Sequence, residues 1–209
     1  CKCEHRKNNK KQRNMKKLFY ILLILAGALS LTGCQGYNNM VEKQEAVTAQ
    51  WGNVQNAYQR RADLIPNLVN TVKGYATHEQ ETFTQVTEAR AKATQTNVSP
   101  ENLTAESLQE YQQAQNQLSQ ALGRLLLIQE NYPELKANQN FLALQEELTS
   151  TENKISFARQ YYNDSVLQYN NKTQMFPTNI IAGMFGFKQG EFFEVTEAEQ
   201  REAPKVKFS

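Results

Sequence analysis

Apolar residues recur at alternating spacings of three and four along most of the chain after Tyr37. In the first such stretch, Val47, Trp51, Val54 and Tyr58 form one seam. This spacing places apolar side chains on one face of an α-helix, whereas a half-buried strand alternates apolar and polar residues. The pattern therefore predicts an all-α fold.

Breaks that contain proline divide this pattern. Proline is tolerated in the first turn of a helix but not in its interior. The breaks leave four predicted helical segments, at residues 37–62, 64–96, 103–131 and 138–175. Four helices that each carry one apolar face, joined by short connections, predict an antiparallel four-helix bundle. A long intermolecular coiled coil is the alternative, which the breaks disfavour because they turn the chain back on itself.

The first turn of this bundle is predicted around Pro66 and a later one around Pro133. A helix start needs a side-chain oxygen that accepts a hydrogen bond from a free backbone N–H. Asp63 and Asn138 offer such oxygens at these two turns. We expect both residues to cap helices.

Tyrosine and glutamine occupy several seam positions where leucine would pack better. Buried phenols and amides need hydrogen-bond partners. Five charged residues lie close enough to the seams to supply them: Arg61, Arg90, Arg159, Glu130 and Glu152. We expect a core with embedded polar contacts that fix the register of the helices. The alternative is a ligand pocket lined by Tyr58, Tyr75, Tyr111 and Tyr162.

The composition changes after Pro177. The stretch Asn179–Val195 combines three glycines with Met184, Phe185, Phe187 and two further phenylalanines. We expect an irregular aromatic and glycine-rich segment that either folds back to cover one end of the bundle or stays exposed to lipid or a protein partner. Residues 196–209 form a predicted polar tail.

A run of 14 residues without a charge, Leu18–Leu31, precedes the bundle. It would cover ~21 Å as a helix, and roughly 20 residues are needed to cross a hydrocarbon core. Lys16 and Lys17 precede it, and Leu31-Thr32-Gly33-Cys34 follows, which resembles the lipobox of bacterial lipoproteins. We therefore expect cleavage before Cys34 and a lipid on its sulfur. An ordinary signal peptide or an uncleaved membrane helix are the alternatives.

This interpretation divides the chain into five parts. They are an upstream extension at 1–14, a lipoprotein signal peptide at 15–33, a lipidated N-terminus at 34–36, the bundle at 37–195 and the tail at 196–209. Eight of the 23 Lys and Arg residues and one of the 21 Asp and Glu residues precede Cys34, so the remainder has a net charge of −5. Nucleic-acid binding needs a clustered basic face, and we expect no nucleic-acid partner.

Few residues suggest chemistry. His78-Glu79 begins like the zinc protease motif HExxH, but Thr82 stands where the second histidine would be. Cys1, Cys3 and His5 lie in the upstream extension and are not expected to build a metal site. We expect no catalytic residues, no metal and no cofactor, and hence a protein that is not an enzyme.

Several long strings resemble the LemA family of bacterial envelope proteins. RRADLIPNLV, YPELKAN, NFLALQEEL and FARQYYND occur in order, and the resemblance covers Tyr37 to Phe193. It implies an antiparallel helical bundle and carries over no catalytic residue. Many members hold the membrane through an N-terminal hydrophobic helix, whereas Cys34 suggests a lipid anchor here.

These observations favour a non-enzymatic scaffold or adaptor for another membrane protein, held at the envelope by a lipid on Cys34 with the bundle outside the cytoplasm, on the periplasmic side or at the outer membrane. A small-ligand or lipid-binding bundle is the alternative. The predicted interaction surface comprises Arg60, Arg61, Asp63, His78, Phe185 and Phe187.

Overall fold

The computed structural model describes the backbone of residues 2–193 and the side chains of residues 17, 19, 20 and 33–193. The predictions for the tail at 196–209 lie outside the described residues. Six α-helices follow one another: α1 (Lys2–Lys73), α2 (Gln80–Gln95), α3 (Ala105–Leu127), α4 (Pro133–Lys136), α5 (Gln139–Gln174) and α6 (Thr178–Phe185). No strand occurs between residues 2 and 193, so the prediction of an all-α fold is confirmed.

The chain forms two compact units. The first, called the α6 unit, comprises Cys1–Gln44 and Asn171–Lys188; the second, called the bundle unit, comprises Glu45–Asn170 and Gln189–Ser209. Helices α1 and α5 each contribute residues to both units.

Successive long helices of the bundle unit run in opposite directions. Gln55 of α1 contacts Asn97, which follows the end of α2. Ala62, which lies further along α1, contacts Arg90, which comes before Asn97 in the chain. The two helices are therefore antiparallel. The same reversal holds between α2 and α3 and between α1 and α5. The bundle unit is therefore an antiparallel arrangement of four long helices, as the seams predicted.

An apolar core joins these helices. Burying one large aliphatic or aromatic side chain contributes about 1.5–3 kcal/mol to folding. One cluster of buried residues draws on all five helices α1 to α5 and on the residues that follow α1 and α3: Ile65, Leu68, Val69, Val72, Ala76, Phe83, Val86, Ala93, Leu118, Ala121, Leu122, Leu125, Ile128, Leu135, Phe141 and Leu148.

The predicted break between residues 62 and 64 was wrong, because α1 runs without interruption to Lys73 with Pro66 in its interior. Proline has no N–H, so the carbonyl of Ala62, four residues earlier, loses its helical donor. Arg90 of α2 replaces that donor: its Nε donates to the Ala62 carbonyl at 2.7 Å. Since Pro66 is exposed, its ring needs no space in the core.

The first turn lies instead at residues 74–79. Gly74 N–H donates to the carbonyls of Asn70 and Thr71, which ends α1, and α2 begins at Gln80. Asp63 is consequently inside α1 and caps no helix. The second predicted cap is present, since Asn138 Oδ1 accepts from the Phe141 N–H at 2.9 Å, at the start of α5.

Candidate functional site

A buried arginine organises the polar part of the bundle unit. Arg61 is 1% exposed, and its Nη1 donates to Ser119 Oγ at 2.7 Å and to Glu152 at 3.1 Å. Its Nη2 donates to the side-chain oxygen of Gln115 at 2.7 Å and to the Gln115 carbonyl at 3.2 Å. The guanidinium also lies 5.0 Å from the ring centre of Tyr58. Arg61 thus ties α1 to α3 and α5, as the expectation of embedded polar contacts stated.

Five aromatic side chains form a cluster next to this network. Trp51 is fully buried, and its ring centre lies 5.3 Å from that of Tyr111, 5.7 Å from that of Tyr162 and 5.7 Å from that of Phe193. Tyr58 contacts Tyr111 edge to face. Trp51 Nε1 donates to the Val98 carbonyl at 2.9 Å, which satisfies the buried indole. Such pairs contribute about 0.5–1.5 kcal/mol each beyond burial.

The buried phenols of this cluster remain protonated over a wide pH range. Burial raises the pKa of Tyr111, and the neighbouring Tyr58 adds to the rise. Burial likewise raises the pKa of Tyr162, with a smaller contribution from Glu191. A phenol held neutral donates and accepts hydrogen bonds but is a poor base and nucleophile. The cluster is suited to packing and recognition.

A cavity of about 260 Å³ opens beside Tyr58 and Tyr111. None of the residues that line it is charged: Gln55, Asn56, Tyr58, Gln59, Ala62, Ala93, Thr94, Thr96, Asn97, Tyr111 and Gln115. Two of the four tyrosines that the sequence suggested for a pocket therefore line it, and Tyr75 and Tyr162 do not. Amides and hydroxyls that surround aromatic rings suit a small uncharged polar molecule.

Two asparagines of α5 hold the segment from Gly190 to Phe193. Asn163 accepts from the Phe193 N–H at 2.9 Å and donates to its carbonyl at 3.2 Å. Asn170 makes the same pair of bonds to Gly190, at 2.8 Å and 2.9 Å. Seven helical residues rise ~10.5 Å, and three residues of extended chain span about 10 Å. The spacing of the asparagines thus matches the spacing of the two backbone sites.

The sequence left open whether Asn179–Val195 folds back onto the bundle or stays exposed, and these hydrogen bonds show that its later part packs on the bundle unit. Gly190 and Phe193 belong to the bundle unit, and Phe193 is 2% exposed against Trp51 and Tyr162. The earlier part of the stretch, through Lys188, belongs to the α6 unit. The prediction of an irregular segment was wrong for residues 179–185, which are helical and belong to α6. Val195 lies outside the described residues.

In the α6 unit, α6 packs on α1 next to Cys34. Cys34 is exposed, and its thiol is free. A Cβ placed on Gly36 would lie 2.8 Å from Ile181 Cδ1, so a larger residue here would require the Ile181 side chain to move. Tyr37 contacts Phe185 at 4.9 Å and Phe187 at 5.6 Å between ring centres. Among the helical residues with described side chains, no stretch is long and apolar enough to cross a membrane.

The residues predicted for an interaction surface do not share one environment. Arg60 and Asp63 are exposed on α1, and His78 is exposed in the turn before α2. Arg61 is buried in the network above, so its guanidinium cannot be part of a surface. Phe185 is 62% exposed, and Phe187 is half-buried against Tyr37. Docking at the exposed members stays a prediction.

Sequence reasoning missed an exposed aromatic pair on the bundle unit. Phe157 and Tyr161 lie one turn apart on α5 and are 59% and 58% exposed. Residues four apart on a helix are neighbours on its surface. Both occur in the string FARQYYND, and only the burial of the opposite face of α5 shows that they point outward.

The described side chains do not bring together three or more His, Cys, Asp or Glu residues that could hold a metal ion. Cys1, Cys3 and His5 lie outside the described side chains. Arg61 and the buried tyrosines hold the helices together, and the cavity beside Tyr58 and Tyr111 offers uncharged hydrogen-bonding groups.

Comparison with known proteins relates the chain to one family. A family model described as the LemA family matches residues 50–208. Protein LemA of Metamycoplasma hominis is 25% identical over 191 residues, which cover 89% of this chain and 82% of that protein. Magnetosome protein MamQ 2 of Paramagnetospirillum magneticum is 25% identical over 194 residues, which cover 85% of this chain and 71% of that protein. Magnetosome protein MamQ of Magnetospirillum gryphiswaldense is 26% identical over 174 residues, or 75% and 64% of the two chains.

Proposed function

The chain belongs to the LemA family, and from this premise we propose that it is a membrane-anchored envelope protein whose bundle serves as a non-enzymatic scaffold or adaptor for another membrane protein. The observation that carries the proposal is the course of α1. One helix contains the charge-free run Leu18–Leu31, then Cys34, and then the first helix of the bundle unit. An anchor in this helix would tether the bundle unit to a membrane.

The bundle itself supports a role in binding. Arg61 is committed to Ser119, Glu152 and Gln115, and burial raises the pKa values of Tyr111 and Tyr162 above the ordinary value. These groups stabilise the helices and are not poised for proton transfer.

The anchor is tested by mass spectrometry of the protein isolated from bacterial membranes. A diacylated peptide that begins at Cys34 would support the lipid anchor, with the bundle outside the cytoplasm. An intact peptide that spans Cys34 would instead make Leu18–Leu31 a retained membrane helix. A Cys34→Ser variant separates the two, because it should leave the membrane fraction only if the lipid holds it.

The adaptor role is tested by photo-crosslinking at the exposed aromatic pair. A photoreactive phenylalanine at Phe157 should give one discrete adduct with a membrane protein in native membranes. The matched control is the same probe at Leu127, which is 66% exposed on α3. Adducts that are absent at Phe157, or that are the same at both positions, would count against a docking surface there.

A second candidate function is favoured by the polar cavity. Its amide and hydroxyl lining suits a neutral sugar or amide better than an acyl chain, because buried polar groups left without partners are costly. A ligand at 100 times its Kd would stabilise the protein by about 2.7 kcal/mol. A panel of neutral sugars and amides should raise Tm, and Asn56→Leu should abolish the effect, since Asn56 lines the cavity. No shift with any of them would dismiss this candidate.

A further inference from the structure

The exposed surface of α6 is uncharged, and most of its residues are apolar. From Met175 to Phe187 the chain carries no charged residue, and Lys172 and Lys188 flank this stretch. Ile180 and Met184 are four residues apart within α6 and therefore lie on one side of it. Phe176 precedes α6 and stands directly before Pro177.

This surface is strongly exposed. Phe176 is 81%, Met184 77% and Ile180 55% exposed, and the adjacent Phe185 and Met175 are 62% and 55% exposed. The opposite side of α6 is covered, with Ala182 buried and Ile181 packed at Gly36 of α1. So many large apolar side chains next to one another on a protein surface mark a contact with a membrane or a partner.

The position of α6 along α1 distinguishes between these two occupants. Gly36 lies five residues after Leu31, the last residue of the charge-free run, which is ~7.5 Å along a helix. The headgroup layer on each side of the hydrocarbon core is about 5–7.5 Å thick, so Gly36 lies at its outer edge. Gly36 also lies two residues from Cys34. A lipid on the Cys34 sulfur would therefore place α6 at about the same depth in the membrane as a retained N-terminal membrane helix would.

We propose that α6, together with Phe176, lies in the headgroup layer of the bilayer that holds the N-terminal anchor and makes a second, non-covalent membrane contact. This inference rests on the proposed membrane anchor and deepens it. Phe176, Ile180 and Met184 enter the boundary between headgroups and acyl chains. Lys172 and Lys188 reach the anionic headgroups, since long basic side chains place their charge in the polar layer.

The test places a tryptophan on α6 of the full chain in phospholipid vesicles. Phe176→Trp and Met184→Trp each add a second indole to a chain whose own Trp51 is fully buried. The control is Phe157→Trp, an exposed aromatic position of the bundle unit. Vesicles with lipids brominated near the top of the acyl chains quench an indole that lies within the interface.

The added indole at 176 or 184 should lose about half of its emission in brominated vesicles, because an interfacial helix sinks ~5–10 Å into this layer. The indole at 157 should keep its emission. Trp51 emission checks that each variant is folded. Two results would overturn the proposed contact of α6 and leave the anchor standing. One is equal quenching at 157, 176 and 184. The other is no quenching at 176 and 184 while the protein still sediments with the vesicles. If the wild-type chain does not sediment with vesicles, the proposed anchor fails as well.

Discussion

The hydrogen bond from Arg90 to the Ala62 carbonyl allows α1 to continue through a proline, and this explanation can be tested by mutation. Ala62 is 3% exposed, and Pro66 cannot donate to its carbonyl. Arg90 Nε donates instead, at 2.7 Å. Arg90→Met keeps an apolar side chain of similar reach and removes the donor. Pro66→Ala restores a backbone N–H at the ordinary position for this bond.

These two substitutions should depend on each other. A buried carbonyl without a partner costs about 1–3 kcal/mol, so Arg90→Met should lower the free energy of unfolding by about 2 kcal/mol in the native sequence. In the Pro66→Ala background the restored backbone N–H satisfies the carbonyl, and the cost should fall to about 0.5 kcal/mol, which is usual for surface substitutions. Pro66→Ala alone should stabilise the chain, because proline is ~3 kcal/mol less favourable than alanine inside a helix.

Urea unfolding followed by far-ultraviolet circular dichroism measures the native chain, the two single variants and the double variant. Equal slopes with urea would show that the unfolded states are alike. Arg124→Met is the control, because Arg124 contacts Gln85 at the surface of the bundle unit and should cost the same in both backgrounds. Independent substitutions add within about 0.5 kcal/mol. A coupling energy below that value between positions 66 and 90 would refute this account of α1.

Three further outcomes are expected. Asn163→Ala removes two hydrogen bonds to Phe193, which contribute about 2 kcal/mol. When Phe193 no longer packs on Trp51, Trp51 emission should shift to the red, and an unchanged spectrum would contradict this. Leu125→Ala, at a fully buried site of α3, should lower the free energy of unfolding by about 2–5 kcal/mol. The exposed Leu127→Ala should change it by less than about 0.5 kcal/mol. Similar values for both would contradict the packing of α3 in the bundle unit. Burial raises the pKa of Tyr111 above its ordinary value of 10.0, so the folded state holds the phenol proton more tightly than the unfolded state does. The contribution to stability is therefore complete below pH ~10 and is lost as the pH rises above it. Tyr111→Phe should reduce the alkaline fall of Tm, and the same fall in both proteins would contradict this.

The seams and several details of local chemistry were readable from the sequence. Val54 and Tyr58 are buried as their spacing predicted, because helical periodicity is a property of neighbouring residues. Asn138 caps α5 for the same local reason. The polar contacts of Arg61 were also expected, since glutamines and tyrosines in a seam need donors.

Other features depended on residues far apart in the chain. Pro66 reads as a helix break until Arg90, 24 residues later, supplies the missing donor. The exposure of Phe157 follows from which face of α5 the other helices cover. Asparagine is common in loops and helices alike, so nothing local marks Asn163 as a partner of Phe193.

By itself, the sequence determined the helical fold, the number of long helices in the bundle and the position of the apolar run, because these follow from periodicity and composition over short windows. Tertiary structure decided where α1 ends, which of the polar side chains is buried and which face of α6 is exposed. Those outcomes depend on hydrogen bonds and close contacts between residues distant in sequence, such as Arg90 with Ala62 and Gly36 with Ile181. Such contacts form only after the helices have packed.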